Sequence, residues 1–160
     1  AVELCQLAGK IAQFEDRFIP QQALSHGQQV QKVFGINGAK AQAQQGFPTI
    51  VKFGLPELDK SRQTQGNETT ARVDALLAMM TTLDDTCVLY RAGETGLARM
   101  QQGAQDVLDL GGYSTFAGQR AFNSLEQDLL RLRASPGGVA DLLAATLFID
   151  RVEQFYFNNK

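Results

Sequence analysis

The chain has 160 residues, of which 44% are hydrophobic and 20% are charged, and its formal net charge is −2. This length and composition are typical of an ordered globular protein, so we expect one domain over residues 1–160. The nearly balanced charge gives no electrostatic reason to bind nucleic acid or an anionic membrane, and no apolar run in the sequence is long enough to cross a bilayer.

Apolar residues at spacings of three and four, broken by glycine and proline, predict several helices in the first part of the chain. They cover residues 2–18, 21–34, 37–45 and, as one or two short helices, 48–60. Gly35 and Gly46 each follow one of these helices, at the position that tolerates a left-handed backbone. Residues 49–53 suit either a short strand or a buried helical turn, and residues 61–67 are predicted to form a polar linker.

A long apolar helix is expected from Asn67 to about residue 90, at the centre of the fold. Asn67 suits the N-cap position, and Glu68 in the first turn favours the positive end of the helix dipole. Asp84 and Asp85 would then lie near the negative end of this helix, where carboxylates are disfavoured. We therefore expect a compensating cation beside them.

The remaining sequence predicts three further helices. They cover residues 94–110, 115–132 and 135–157, with Ser114 as the cap of the second and Gly111-Gly112 as the break before it. Because strand-like alternation is nearly absent, the predicted fold is all-α. We expect a multi-helix bundle of roughly seven to nine helices around the buried central helix.

The cysteine and histidine content argues against structural metal or disulfide chemistry. Cys5 and Cys87 are the only cysteines and have no disulfide or metal-binding spacing, which predicts reduced thiols in a cytoplasmic protein. With a single histidine, a zinc site is not expected. The first residue is neither Met nor the expected start of a helix, so we expect the chain to be part of something longer.

The stretch Ser135-Pro136-Gly137-Gly138 directly precedes an apolar helical run. Ser135 suits the N-cap and Pro136 the first helical position, while the two glycines leave the first-turn amides uncovered. Uncovered amides at the positive end of a helix dipole can bind an anion such as a phosphate. Alternatively, the glycines allow another helix to approach closely. Asp141, one turn later, would either hold a metal bound to the anion or only favour the dipole.

The adjacent pair Asp84-Asp85 also has two interpretations. The carboxylates would pair with Arg91 or a nearby lysine at the surface, or one of them would bind Mg²⁺ while the other holds a water or a basic side chain. His26 would act as a general acid or base, or would only form structural hydrogen bonds. Lys40 would contact a phosphate or be a solvated lysine.

Three stretches resemble motifs of the triphosphoribosyl-dephospho-CoA synthase family and occur in the family's order. They are residues 26–27 with 35–48, residues 83–86 with Arg91 and Gly93, and residues 135–138 with 140–144. The sequence of residues 142–150 is more similar to the malonate decarboxylase branch of that family than to the citrate lyase branch. The resemblance covers most of the chain.

This resemblance implies an all-α transferase that joins ATP to 3′-dephospho-CoA and releases adenine. The product is the precursor of the prosthetic group of malonate decarboxylase or citrate lyase. The site residues that it suggests fall into three groups: Asp84, Asp85 and Asp141 for Mg²⁺; Arg91, Lys40, Ser135, Gly137 and Gly138 for the triphosphate; and Asp85 or His26 for catalysis.

The chain also departs from the family pattern. Five positions lack the residue that the family pattern leads us to expect: Gln42, Tyr90, Ala92, Arg133 and Val139. The family is nearly twice as long, so this chain resembles its C-terminal half. A missing N-terminal half, a companion chain or a second copy in a homodimer is expected to cover any apolar face left open.

Two hypotheses of different class follow. The chain is a transferase, or the part of one that binds the triphosphate. Alternatively, it is a non-catalytic helical module derived from that family, which binds a nucleotide or another protein.

Overall fold

The computed structural model describes residues 1–13, 26–36, 38–65 and 67–158, with the backbone alone at residues 26–28, 39, 40, 65, 157 and 158. Within these ranges the protein is all-α, with no strand, which confirms the predicted fold class. The helices are α1 (Val2–Ala12), α2 (His26–Phe34), α3 (Ala39–Gln44), α4 (Leu55–Gln65), α5 (Glu68–Met80), α6 (Thr86–Asp109), α7 (Phe116–Arg131) and α8 (Gly137–Asn158). A π-helical turn, Ile50–Gly54, leads directly into α4. None of the described helices combines the length and apolar character needed to cross a membrane.

The hydrophobic core lies around α5, which packs against α4, α6, α8 and the π-helical turn. Eight of its thirteen residues are buried, because its apolar side chains occupy most of its circumference. The largest wholly buried side chains include Leu77 and Met79 of α5 itself and, from the helices around it, Met100, Val107 and Leu142. A buried central helix is therefore confirmed, although it is shorter than predicted.

The single helix predicted from Asn67 to about residue 90 is wrong. Asn67 does cap α5, since its side chain accepts hydrogen bonds from the amides of Thr69 and Thr70. The helix then ends at Met80, and α6 begins only after Asp85. Asp85 caps this new helix, so its carboxylate lies at the positive end of a helix dipole rather than at the negative end.

The polar linker predicted at residues 61–67 is also wrong, because α4 continues to Gln65. Two polar side chains of this stretch have partners in the fold. The Ser61 hydroxyl donates to the buried carboxylate of Asp74 at 2.8 Å. Arg62 forms ion pairs with Glu68 at 2.7 Å and with Asp150 of α8 at 2.9 Å. These contacts fix the end of α4 against α5 and α8.

The stretch with two interpretations at residues 49–53 is helical. Gly54, at the end of the π-helical turn, lies where this turn crosses α5 and α8: an added Cβ would be 2.9 Å from both Met79 Sδ and Thr146 Oγ1. The Thr146 hydroxyl donates to the carbonyl of Leu142 at 2.7 Å, so its polar group is satisfied inside the core. Glycine at position 54 therefore allows three segments to meet.

Glycine breaks fall where they were expected. Gly35 and Gly46 have φ values of 70° and 75°, which confirms the left-handed positions after α2 and α3. Gly93, with φ 63° and ψ −165°, interrupts α6 with a kink. The predicted cap Ser114 is wrong by one residue, since the Thr115 hydroxyl accepts the Gly118 amide at 2.9 Å. Phe18, the predicted end of the first helix, lies outside the described residues.

Candidate functional site

The carboxylate of Asp85 joins the first turns of two helices. Its Oδ1 accepts hydrogen bonds from the amides of Cys87 at 2.8 Å and Val88 at 3.2 Å, which caps α6. Its Oδ2 accepts the amide of Val139, in the first turn of α8, at 2.9 Å. Asp85 is only 1% exposed. The second and third sequence motifs therefore meet at one buried carboxylate.

The first three amides of α8 have partners within the protein. The Gly137 amide donates to the carbonyl of Ser135 at 2.8 Å, Gly138 donates to the thiol sulfur of Cys87, and Val139 donates to Asp85. The anion held at this helix start is thus the Asp85 carboxylate. An added Cβ would lie 2.9 Å from Cys87 Sγ at Gly137 and 3.1 Å from Asp85 Oδ2 at Gly138. The glycines therefore do allow a close approach between α6 and α8, as one of the two interpretations proposed.

The cap predicted at Ser135 is wrong. The carbonyl of Pro136 accepts the amide of Ala140 at 3.0 Å, so Pro136 occupies the N-cap position and α8 begins at Gly137. The Ser135 side chain is exposed beside this turn. Its hydroxyl is thus on the surface of the site.

Cys87 lies between the two helix starts and was not included in the predicted site. Burial and the nearby Asp85 carboxylate raise the pKa of its thiol, the Gly138 amide and Arg91 act in the opposite direction, and Asp141 adds to the increase. Arg91 is one turn after Cys87 on α6, and Asp141 is in the first turns of α8. Both charged side chains therefore act on the Cys87 thiol, which itself lies against Gly137.

Asp84, unlike Asp85, is exposed. It lines a cavity of about 300 Å³ together with Thr82, Ile36 and Gln42. The amide of Gln101 lies 3.4 Å from Asp84 Oδ1, at the rim of this region. The acidic pair therefore separates, with Asp85 buried between the helix starts and Asp84 on the outside.

The first motif reaches the same place from the other side. Gly38 lies against the first residue of α6, since an added Cβ would be 3.0 Å from Thr86 Oγ1. Lys40 is the second residue of α3 and His26 the first residue of α2, but their side chains lie outside the described residues. All three sequence motifs thus contact the first turn of α6 or its cap.

Asp84, Asp85 and Asp141 are the carboxylates that the sequence suggested as ligands of Mg²⁺. Among the side chains that the structure describes, no group of three or more His, Cys, Asp or Glu residues is close enough to hold a metal ion. Both oxygens of Asp85 accept backbone amides, whereas Asp84 and Asp141 are exposed. Mg²⁺ is commonly bound through one or two carboxylates together with substrate phosphates. The described carboxylates therefore form no preformed cage for a metal ion.

Fold and site together define an all-α protein in which three glycine-containing motifs meet where two helix starts share one carboxylate. The chain belongs to the CitG family of ATP:dephospho-CoA triphosphoribosyl transferases, whose family model matches residues 1–159. The family expected from the sequence motifs is therefore confirmed.

Several curated relatives are similar to nearly the whole chain. A probable 2-(5″-triphosphoribosyl)-3′-dephosphocoenzyme-A synthase of Pseudomonas syringae pv. syringae B728a is 58% identical over 94% of this chain and 51% of its own length. A protein of the same name from Azotobacter vinelandii DJ is 52% identical over 91% of this chain and 50% of its own length. The chain thus spans about half the length of the curated relatives it matches. No solved structure matches the chain.

Proposed function

We propose that this chain contributes the triphosphate-binding part of a transferase that joins ATP to 3′-dephospho-CoA. The product would be 2′-(5″-triphosphoribosyl)-3′-dephospho-CoA, and adenine would be released. Family membership supports this proposal. The observation that carries it is the meeting of three family motifs around one helix start, through the Gly38–Thr86 and Asp85–Val139 contacts.

The reaction is a glycosyl transfer. A ribose hydroxyl oxygen of dephospho-CoA forms a bond to C1 of the ATP ribose, and the bond from that carbon to the adenine nitrogen breaks. The proton leaves the hydroxyl, and the departing adenine nitrogen gains a proton, so neutral adenine is released. The triphosphate stays attached to the transferred ribose. Such a step depends on holding the two nucleotides in a reactive geometry and on stabilising charge, so the protein must clamp the triphosphate.

The residues around Asp85 suit this clamp. Arg91 and Ser135 are exposed, Ser135 precedes the glycine turn, and Lys40 belongs to the motif that packs on Thr86. Phosphate contact with the amides of Gly137 and Gly138 would require these amides to exchange their present partners.

Mg²⁺, when bound, would neutralise phosphate charge, with Asp141 or Asp84 supplying its carboxylate. The buried Asp85 would hold the helix starts in place, because both of its oxygens already accept amides. His26 stays a candidate for the catalytic group, whereas Asp85 would act by positioning the two helix starts.

Further parts of the proposal concern the wider context. The sequence of residues 142–150 favours malonate decarboxylase over citrate lyase as the recipient of the prosthetic group. Because the relatives are about twice as long, we propose that a further segment or companion chain completes the active site. A homodimer and a cytoplasmic location stay predictions.

Nucleotide binding and adenine release test the proposal. ATP with Mg²⁺ at a hundredfold excess over Kd should stabilise the chain by about 2.7 kcal/mol, which raises the thermal midpoint by about 5–10 °C in a domain of this size. Asp141→Asn should reduce this shift, whereas Asp106→Asn, at an exposed position on α6, should not.

Adenine release from ATP and dephospho-CoA is then measured by chromatography. The chain is assayed alone and together with the segment of the Pseudomonas relative that it does not match. Binding without adenine release in either case would contradict the transferase and favour a nucleotide-binding module. The absence of any ATP-dependent shift would contradict triphosphate binding and favour a module that binds another protein.

A further inference from the structure

An apolar cavity of about 280 Å³ lies between α5 and α7 and reaches the turn that precedes α8. Leu76 and Met80 of α5 and Phe122 and Leu129 of α7 form part of its walls. The polar side chains that line it are those of Glu126 and Ser135. Ser135 also belongs to the proposed triphosphate clamp, whereas the other lining residues have no part in it.

We propose that the cavity binds the adenine ring of a substrate nucleotide, an inference that rests on the proposed function. Ligand sites are commonly apolar with a few placed polar groups, and whole-ligand pockets measure about 300–1,000 Å³. This cavity is at the lower limit of that range, so it suits one ring system rather than an entire nucleotide. Adenine has two apolar faces, an amine that donates to a carboxylate such as Glu126, and ring nitrogens that accept from a hydroxyl such as Ser135.

The position of the cavity supports this occupant. Ser135 and Pro136 line the cavity, and the next residue, Gly137, lies against Cys87 between the two helix starts. The cavity wall therefore continues directly along the chain into the glycine turn, towards which the attached ribose and phosphates would extend. Adenine is present in both ATP and dephospho-CoA, so either substrate can supply this ring.

The absence of tryptophan from the sequence allows a direct test. Leu130 lines the cavity and is 69% exposed, so Leu130→Trp places a single fluorophore at its edge without disturbing the core. Leu7→Trp, on α1 and 55% exposed, is the matched control. Adenosine should change the emission of Leu130→Trp saturably through ring stacking and leave Leu7→Trp unchanged, while inorganic triphosphate with Mg²⁺ should change neither.

A second variant covers the case in which the new indole fills the cavity. Glu126→Gln replaces an acceptor of the adenine amine with an amide group that can also donate to the C6 carbonyl oxygen of inosine. The ratio of adenosine to inosine affinity, measured by calorimetry, should fall about tenfold, because a hydrogen bond to a charged group is lost. Glu94→Gln, an exposed control on α6, should leave this ratio unchanged. The absence of adenosine binding to the unaltered chain, or an unchanged ratio in Glu126→Gln, would overturn the inference.

Separate ligands distinguish the sources of the ring and the two proposals. Emission changes with ATP alone, or with dephospho-CoA alone, assign the cavity to that substrate, and mutual competition assigns it to both. Triphosphate binding without adenosine binding overturns the adenine inference and leaves the proposed function standing. Adenosine binding without triphosphate binding supports the adenine inference and contradicts the proposed triphosphate site. An emission change that depends only on protein concentration would show that a second copy fills the cavity, and would also overturn the inference.

Discussion

Replacing Asp85 by alanine removes one buried side chain that accepts three backbone amides, at 2.8, 3.2 and 2.9 Å. Loss of an N-cap costs about 1 kcal/mol. The amide of Val139 is left without its acceptor in a buried place, which costs about 1–3 kcal/mol more. We therefore expect the free energy of unfolding to fall by about 3 kcal/mol in Asp85→Ala. Asp85→Asn keeps an oxygen that can accept the first amides of α6, but its NH2 group can face the Val139 amide, which is also a donor. We therefore expect about half of the loss in Asp85→Ala.

Urea-induced unfolding, followed by far-ultraviolet circular dichroism, measures this difference as a lower midpoint at an unchanged m-value. Asp84→Ala is the matched control, because Asp84 is exposed and its contact with Gln101 is as long as 3.4 Å. The control should change the free energy of unfolding by no more than about 0.5 kcal/mol. A loss below about 1 kcal/mol in Asp85→Ala, or equal losses in both variants, would refute the assignment of Asp85 as the shared cap.

Three further outcomes are expected. Arg62 lowers the pKa of Glu68 from 4.5 to about 2, so their ion pair stabilises the fold fully above pH 4.5 and loses this effect as the pH falls towards 2. Because Glu68 is partly exposed, this part of the acid dependence of unfolding should stay below about 1 kcal/mol and disappear in Glu68→Gln. Gly93→Ala should lower the free energy of unfolding by about 1–3 kcal/mol, because the backbone at this kink has a conformation that is essentially restricted to glycine. Thiol titration of the native protein with Ellman's reagent should detect the exposed Cys87, while the buried Cys5 should react only on unfolding; two fast thiols in the native state would contradict this.

The helical character of the chain was predictable from local pattern, whereas one helix end was not. Spacings of three and four continue from α5 through Leu83 to Val88, so periodicity alone joined two helices. The contact that fixes Asp85 as a cap includes the amide of Val139, 54 residues further along the chain. Such a long-range partner is invisible to a local pattern. For the same reason, Arg62 looked like part of a solvated linker although it pairs with Asp150 of α8.

The sequence motifs identified the region of the site but not the partners within it. Asp85 was predicted to bind a metal and Gly138 to bind an anion, yet the two residues lie against each other. Residue type indicates which groups are available, but only the fold decides whether an acceptor meets a ligand or a neighbouring amide. Cys87 was overlooked because a single cysteine without a partner gives no sequence signal.

The crossing of the π-helical turn with α5 and α8 has a consequence for oxidative damage. The Met79 sulfur is wholly buried and lies 3.6 Å from Thr146 Oγ1, and Gly54 packs so closely that an added carbon would be 2.9 Å away. A sulfoxide adds one polar oxygen to this sulfur, for which the packed crossing has no room. Native packing therefore shields Met79 from peroxide. Oxidation of Met79 before folding would place this oxygen at the crossing and oppose the packing of the three segments.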